Sequence, residues 1–194
     1  MTKGGGKRHL KRLVVSKHFP VSKKADTFVV RPAPGPHSAD ECIPLAIIVR
    51  ELLGYARTMA EVKKIIHERN AAVDGRVRNN RKYPVGFMDS VSFPKINKHY
   101  RMVYTKIGLR VIPIEEEEAQ VKLCQITNKT TLKGGLIQLN LHDGRNIVVD
   151  AEESKDKNYK THDSLKISVP EQEIHEKYEP VVGNYGVITS GRWM

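Results

Sequence analysis

The sequence has few cysteines, the residues on which zinc ribbons and disulfide frameworks depend. It contains two cysteines, Cys42 and Cys124, which are far apart in the chain and form no C-x-x-C pair. Zinc ribbons and disulfide scaffolds need closely spaced cysteines, so this pattern argues against both. His9, His18 and His37 are too dispersed to complete a zinc site with Cys42. We therefore expect no metal and no cofactor.

Long apolar runs are also missing. The longest is Ile43–Val49, far short of the roughly 20 residues that a membrane-spanning helix needs. The N-terminus carries charge, but the apolar core of a signal peptide does not follow it. We expect a soluble cytoplasmic protein without a membrane partner.

Acidic residues are scarce in the first part of the chain. Residues 1–112 carry 23 Lys+Arg and 8 Asp+Glu, a net charge of +15, whereas residues 113–194 carry 10 and 14, a net of −4. The formal net charge of the whole chain is +11. A basic front half favours a polyanionic partner, and nucleic acid is the main candidate.

Residues 1–39 are interpreted as a basic N-terminal extension without a domain of its own. Residues 1–36 hold nine Lys+Arg and one acid, and the prolines of Arg31–His37 interrupt regular structure. Too little apolar area is present to offset the loss of chain entropy. The extension is expected to become ordered on RNA, and a solvated tail is the alternative.

Residues 40–94 are predicted to form a small module of two helices and a hairpin. Apolar residues recur at helical spacing from Leu45, with Pro44 suited to a first helical turn. Thr58 and Glu61 have the spacing of a capping box at the start of the second helix. Asp74-Gly75 predicts a two-residue hairpin turn. Pro84–Gly86 is interpreted as a second turn before a short strand, Asp89–Phe93.

Residues 95–176 are predicted to be a mostly β, barrel-like central domain. Short apolar runs alternate with turn signals such as Lys133-Gly134-Gly135 and His142-Asp143-Gly144. The fold class is therefore α+β. The predicted strands are Arg101–Thr105, Leu109–Pro113, Gln120–Thr127, Leu136–Leu141, Asn146–Val149, Ser164–Val169 and, later, Val187–Thr189.

The exposed side of the second helix and the hairpin after it are the most informative feature. Residues 57–82 hold eight basic residues and three acids. Guanidinium and ammonium groups gathered at a helix and a hairpin suit phosphate oxygens, and RNA is read largely through backbone and shape. An ordinary solvated basic surface is the alternative. The predicted RNA-binding residues are Lys7, Arg8, His9, Lys11, Arg12, Lys17, His18, Arg57, Lys63, Lys64, His67, Arg69, Asn70, Arg76, Arg78, Arg81 and Lys82.

Several short motifs occur in one order along the chain. They are H-L-K-R-L at His9–Leu13, K-H-F at Lys17–Phe19, R-P-x-x-G-P-H at Arg31–His37, E-C-I-P-L at Glu41–Leu45, V-D-G-R-V-R at Val73–Arg78 and P-V-G-F-M-D at Pro84–Asp89. Together they resemble the archaeal/eukaryotic e-type small-subunit ribosomal protein four family over about residues 7–150. That resemblance implies an alpha-L RNA-binding module followed by a central β domain.

The same resemblance implies a C-terminal small barrel of the KOW type. Val182–Arg192 looks like its opening strand. Residues 177–194 are therefore interpreted as the start of an incomplete barrel. Arg69-Asn70 stands where related modules often have glycine, so the joint between helix and strand is expected to differ.

Two functions remain open from the sequence. The first is a non-enzymatic constituent of the small ribosomal subunit, with ribosomal RNA and neighbouring ribosomal proteins as partners and a monomeric state outside the ribosome. The second is a free-standing RNA-binding factor or the targeting part of an RNA-modifying enzyme. The chain has no Arg-Leu-Asp tripeptide, P-loop or HExxH pattern. We therefore expect no enzymatic activity.

Overall fold

The computed structural model describes residues 9–16, 19–22, 24, 26–150 and 157–189. Four of the predicted RNA-binding residues, Lys7, Arg8, Lys17 and His18, lie outside the described residues.

The regular structure of the described chain is mostly β-strand, with three α-helical segments and two 3-10 turns, Arg12–Val14 and Pro94–Ile96. Helix α1 is Leu45–Ile47 and continues as a π-helical turn, Ile48–Leu52; α2 is Met59–His67 and α3 is Glu116–Ala119. The strands are β1 Leu10–Lys11, β2 Phe28–Val29, β3 Ile43–Pro44, β4 Ala72–Val73, β5 Arg76–Val77, β6 Pro84–Val85, β7 Ser90–Phe93, β8 Lys98–Thr105, β9 Gly108–Ile114, β10 Val121–Thr131, β11 Ile137–Leu141, β12 Asn146–Val149, β13 Ser164–Ser168 and β14 Ile174–Tyr178. These elements confirm the α+β class.

One five-stranded antiparallel sheet has the order β5-β4-β7-β8-β9. Its first hairpin turns at Asp74 and Gly75, whose φ angles are 49° and 72°, as the Asp-Gly pair predicts for a two-residue turn. Strand β7 pairs with β8 from Ser90↔Arg101 to Phe93↔Lys98. The sheet therefore continues across residues 94 and 95, where the sequence suggested a domain boundary.

Helices α1 and α2 cover this sheet and share its core. Val62 and Ile66 of α2 are fully buried together with Val73, Met102 and Leu109 of the strands. Burying each such side chain stabilises the fold by about 1.5–3 kcal/mol. The apolar stripe of α2 therefore faces the core, and its charged side chains face outward.

The start of the module differs from the prediction in two places. Pro44 precedes the helix and pairs with Pro84, while Ile43 pairs with Val85. Ile43–Pro44 is thus a strand rather than a first helical turn. Pro84–Val85 is likewise a strand rather than part of a turn. Proline is tolerated because this sheet is only two strands wide.

The second five-stranded sheet, called the central sheet below, has the order β12-β11-β10-β13-β14 and forms a curled half-barrel. Its long strand β10 pairs with β13 through Val121–Gln125 and with β11 from Ile126 onward. The register shifts between Ile126 and Asn128, and a bulge of this kind bends a strand. Strand β14 was not predicted from the sequence.

The N-terminal extension is more ordered than the sequence suggested. Strands β1 and β2 pair with each other, and Phe19 and Val21 are buried in the core of the module. The N–H group of Ala33 donates to the carbonyl of Lys82 at 2.8 Å. The prediction underestimated this order because the extension uses apolar surface supplied by the helices and needs no core of its own.

The C-terminal segment lacks the predicted strand. Val187–Thr189 has no strand structure, and Val182, Tyr185 and Ile188 are exposed. An apolar sequence alone is insufficient here because no neighbouring strand supplies backbone hydrogen-bond partners among the described residues. In the part of the chain that the structure describes, no helix has the length and apolar character to span a membrane.

Candidate nucleic-acid interface

A complete capping box fixes the beginning of α2. Thr58 Oγ1 accepts a hydrogen bond from the Glu61 N–H at 3.3 Å, and Glu61 Oε2 accepts from the N–H groups of Thr58 and Arg57 at 3.4 and 2.8 Å. These hydrogen bonds lower the pKa of the Glu61 carboxyl, and the bond from the Arg57 N–H contributes most. The carboxylate occupies the positive end of the helix. The side chain of Arg57 is exposed beside this end of the helix.

The outer side of α2 carries the predicted basic face. Lys63, Lys64 and His67 are exposed, while Val62 and Ile66 point into the core. Lys63 and His67 are four residues apart and so lie on the same side of the helix. This cluster, together with the loop described next, is called the helix face.

The loop after the hairpin lies against this part of α2. Lys63 and His67 line a cavity of about 200 Å³ with Asn79, Asn80 and Arg81 of that loop, over the side of Ile66. Lys82 follows and is exposed. The structure therefore brings Arg81 next to Lys63 and His67, although it follows them in the sequence by more than ten residues.

The joint after α2 is a Schellman motif. The N–H of Asn70 donates to the carbonyl of Ile65 at 3.3 Å, and that of Arg69 donates to Ile66 at 3.1 Å. Arg69 has a φ of 58°, in the left-handed region that glycine prefers. The joint thus has the geometry that glycine would give, with an arginine in its place. The amide of Asn70 donates to Glu68 at 3.0 Å, so its side chain faces a carboxylate.

Arg76 and Arg78 belong to a different cavity from the helix face. That cavity has a volume of about 380 Å³ and lies where the extension, the module and the central sheet meet. The guanidinium of Arg78 lies over the ring of Tyr83, 4.3 Å from its centroid. The predicted cluster is therefore divided between two places.

The described basic residues of the extension form a small platform beside β1 and β2. Lys11 is exposed, and the ring of the exposed His9 lies 5.4 Å from that of Phe28. The guanidinium of Arg12 donates to the carbonyls of Val21 and Ser22. Arg12 thus holds the extension together and has fewer donors left for phosphate.

A buried ionic cluster joins the module to the central sheet. Nζ of Lys122, on β10, lies 2.8 Å from Asp74, 2.5 Å from Asp89 and 2.9 Å from Asp143. Arg145 contacts Asp74 and Asp143 at 2.6 and 3.0 Å. We call these five residues the junction cluster.

Two further contacts tie the extension to the junction cluster. His37 Nε2 lies 2.9 Å from Asp89 Oδ2. A Cβ atom on Gly86 would lie 2.3 Å from Cγ of His37, so only glycine lets that ring approach. Asp89 also accepts from the Gly86 N–H at 2.9 Å. The junction therefore holds three segments in one arrangement.

Within the junction cluster, attraction between opposite charges changes the pKa values of Asp89, Asp143 and Lys122 more than burial does. Burial acts to raise the pKa of Asp89, but Lys122 and His37 lower it by more, so the net pKa is below the ordinary value. For Asp143, attraction from Lys122 and Arg145 likewise outweighs burial and lowers its pKa. Burial acts to lower the pKa of Lys122, but the three carboxylates raise it overall. Asp89, Asp143 and Lys122 are thus ionised at neutral pH.

Cys124, His142 and Asp143 are near enough to one another to suggest a metal site, their ligand atoms lying within 4.8 Å. However, Asp143 Oδ2 contacts Lys122 and Arg145. His142 Nδ1 accepts from the Gln125 N–H at 3.2 Å. Burial raises the pKa of the Cys124 thiol, which disfavours the thiolate that a metal needs. The group therefore packs the junction rather than presenting free ligands.

The junction cluster was not predicted from the sequence. One signal was available for Lys122: it is in phase with the buried Cys124 and Ile126 on β10. A lysine at an inward position of a strand needs a partner, because buried charges are paired. No sequence signal identifies that partner.

Comparisons with known proteins agree on one family. A family model described as ribosomal family S4e matches residues 96–174, and an RS4NT domain matches residues 4–40. The small ribosomal subunit protein eS4 of Methanocaldococcus jannaschii is 48% identical over 99% of this chain and 80% of its own length. That of Staphylothermus marinus is 46% identical over 99% and 78%.

A solved structure gives the same result. The crystal structure of the 30S ribosomal protein S4e from Thermoplasma acidophilum matches with a TM-score of 0.67 and 33% identity, covering 78% of this chain and 76% of that chain. Family models, relatives matched over nearly the whole of this chain and fold therefore coincide, and the chain belongs to the S4e family of ribosomal proteins.

Proposed function

We propose that this protein is a non-enzymatic structural constituent of the small ribosomal subunit and that it binds ribosomal RNA through the helix face. The single observation that carries the RNA contact is the exposed basic side of α2, where Lys63, His67 and Arg81 line one cavity. The relatives named small ribosomal subunit protein eS4 support the setting.

The chemistry of the helix face suits RNA backbone. Lys63, Lys64 and Lys82 are exposed and Arg81 is half-buried, and the other side of α2 packs into the core. Lys63 and Lys64 have flexible stems that can reach phosphates, and Arg81 offers a planar fork for two oxygens. Such contacts recognise the shape of folded RNA without reading bases. Lys11, with His9 and Phe28 beside it, would extend the contact along the N-terminal extension.

Charge reversal tests the helix face. Lys63→Glu with Lys64→Glu is expected to lower affinity for small-subunit ribosomal RNA at least about tenfold and to flatten the salt dependence by about 0.7–0.9 log units for each phosphate that the variant no longer binds. Lys133→Glu with Lys160→Glu makes the same charge change at exposed positions of the central region and serves as the control. Equal affinities for the two double variants would refute the assignment.

Sedimentation tests the ribosomal role. The full chain is expected to remain with small subunits through a high-salt wash, because a structural constituent is enclosed by RNA and neighbouring ribosomal proteins. Release in the wash would point to a free-standing factor. We further propose that the protein resides in the cytoplasm, does not bind membranes and is a monomer before assembly. Analytical ultracentrifugation of the free chain measures the last point.

A further inference from the structure

The cavity between the N-terminal extension, the module and the central sheet has the features of a second anion site. Its volume is about 380 Å³, within the range of about 300–1,000 Å³ that is usual for small-molecule pockets. Three separate parts of the chain supply its walls. The lining residues are Gly35 and Pro36 from the extension, Asp74, Arg76, Arg78 and Tyr83 from the module, and Lys122, Asp143, Gly144, Arg145 and Gln172 from the central region.

The acidic residues that line this junction cavity are each paired with cations. Asp74 lies 2.8 Å from Lys122 and 2.6 Å from Arg145, and Asp143 lies 2.9 and 3.0 Å from the same two cations. Both carboxylates are buried. They therefore hold the wall together and offer little repulsion to an anion at the mouth of the cavity.

The remaining donors are guanidinium groups. Nε of Arg78 is buried and has no hydrogen-bond partner among the described residues, although buried donors are nearly always paired. The ring of Tyr83 supports this guanidinium from one side. Arg76 is exposed at the same cavity, and its side chain makes no hydrogen bond or ion pair within the described part of the chain. Two adjacent arginine forks with unused donors suit a phosphate group.

We infer that the junction cavity is a second phosphate-binding site, in which Arg76 and Arg78 hold one phosphate of the bound RNA. The inference rests on the proposed function, because it assigns the phosphate to the RNA that the helix face binds. One segment of the chain lines both the junction cavity and the cavity of the helix face. Arg78 lines the junction cavity, while Asn79, Asn80 and Arg81 line the cavity of the helix face. Three residues span at most about 11 Å, so one RNA segment can contact both. The volume beyond the phosphate has room for part of the attached nucleotide.

Phosphate-ethylation interference tests this assignment with the full chain and small-subunit ribosomal RNA. An ethylated phosphate blocks binding wherever the protein contacts that phosphate. Wild-type protein is expected to show interference at several phosphates, and Arg78→Gln to abolish it at one or two of them. The double variant Lys63→Glu with Lys64→Glu is the control and should abolish interference at different phosphates. The salt slope of Arg78→Gln should fall by about 0.7–0.9.

Two further variants separate the removal of a phosphate ligand from damage to the fold. Arg76→Gln alters an exposed side chain and should abolish interference at the same phosphates as Arg78→Gln. Arg78→Lys keeps the charge without the fork and should restore part of the affinity. Thermal unfolding of each variant identifies any that fail to fold. If Arg76→Gln and Arg78→Gln both fold and keep the wild-type interference pattern, an RNA phosphate in this cavity is overturned.

A second experiment, a phosphate titration, distinguishes RNA from a free anion as the source of the phosphate. Inorganic phosphate is titrated into the free protein and followed by phosphorus NMR. Binding that disappears in Arg78→Gln, with an unchanged interference pattern, would assign the cavity to a free phosphate and overturn the RNA contact. If neither experiment shows an effect of these substitutions, the cavity is not a phosphate-binding site. Failure of the wild-type chain to bind RNA would instead refute the proposed function, and the NMR arm would still test the cavity.

Discussion

Replacing Lys122 by methionine should be strongly destabilising. The Lys122 side chain is 2% exposed and lies within 2.9 Å of three carboxylates. Methionine has nearly the same length, so little space is left empty. The change leaves Asp74, Asp89 and Asp143 close together, with Arg145 as the remaining cation in the junction cluster and His37 as a hydrogen-bond partner of Asp89. Removing one partner of a buried ion pair costs about 3–5 kcal/mol, a large part of a typical total of about 5–15 kcal/mol.

The destabilisation should depend on pH in a defined direction. In the wild type the pKa values of Asp89 and Asp143 are lowered, so their stabilisation is present above the unfolded pKa and is lost as pH falls through the folded pKa. Without Lys122, burial acts with less opposition and the folded pKa values rise. Protonation then relieves the repulsion, and the difference between wild type and variant should shrink as pH falls from about 7 to about 5.

Urea denaturation at the two pH values measures this effect. Lys166→Met is the matched control, because Lys166 is a half-exposed lysine on β13 that faces Glu176 at 3.6 Å, and it should cost less than about 0.5 kcal/mol. Adding Asp89→Asn to Lys122→Met should recover part of the lost stability. A cost below about 1 kcal/mol at pH 7, or one that is the same at both pH values, would show that the junction cluster does not hold the fold.

Two other changes probe the backbone. Gly86→Ala places a Cβ atom 2.3 Å from the His37 ring and should cost about 1–3 kcal/mol. It should also make the N-terminal extension more sensitive to limited proteolysis; an unchanged digestion pattern would show that His37 does not anchor it. Arg69→Gly relieves a φ of 58° and should raise the free energy of unfolding by about 0.5–1 kcal/mol, measured with urea. A decrease would mean that the arginine side chain contributes more than its backbone strain costs.

Local signals predicted much of the module. The Thr58–Glu61 capping box, the Asp74–Gly75 turn and the outward position of Lys63 and His67 are all as expected. Each of these features depends on residues within about four positions of one another, a range over which helix and turn geometry is fixed by the chain itself. Strands β10 to β13 of the central sheet followed from the same kind of pattern, whereas β14 did not.

The candidate site was predicted only in part. The sequence predicted a single basic surface formed by residues 57–82. The structure instead places Lys63, His67 and Arg81 at one cavity and Arg76 and Arg78 at another. The division arises because the hairpin projects its arginines toward the central sheet. The position of that sheet depends on residues after 120, which no signal within the module reports.

The amino-acid sequence by itself determined the net charge, the concentration of cations in the first 112 residues and the local shape of α2 and its hairpin. Tertiary structure alone decided that Lys122 is enclosed by Asp74, Asp89 and Asp143 and that Phe19 and Val21 enter the core. The physical reason is range: caps and turns are set by neighbouring residues. The burial of a charge, or of an apolar side chain in a basic extension, depends instead on partners that only the folded chain brings close.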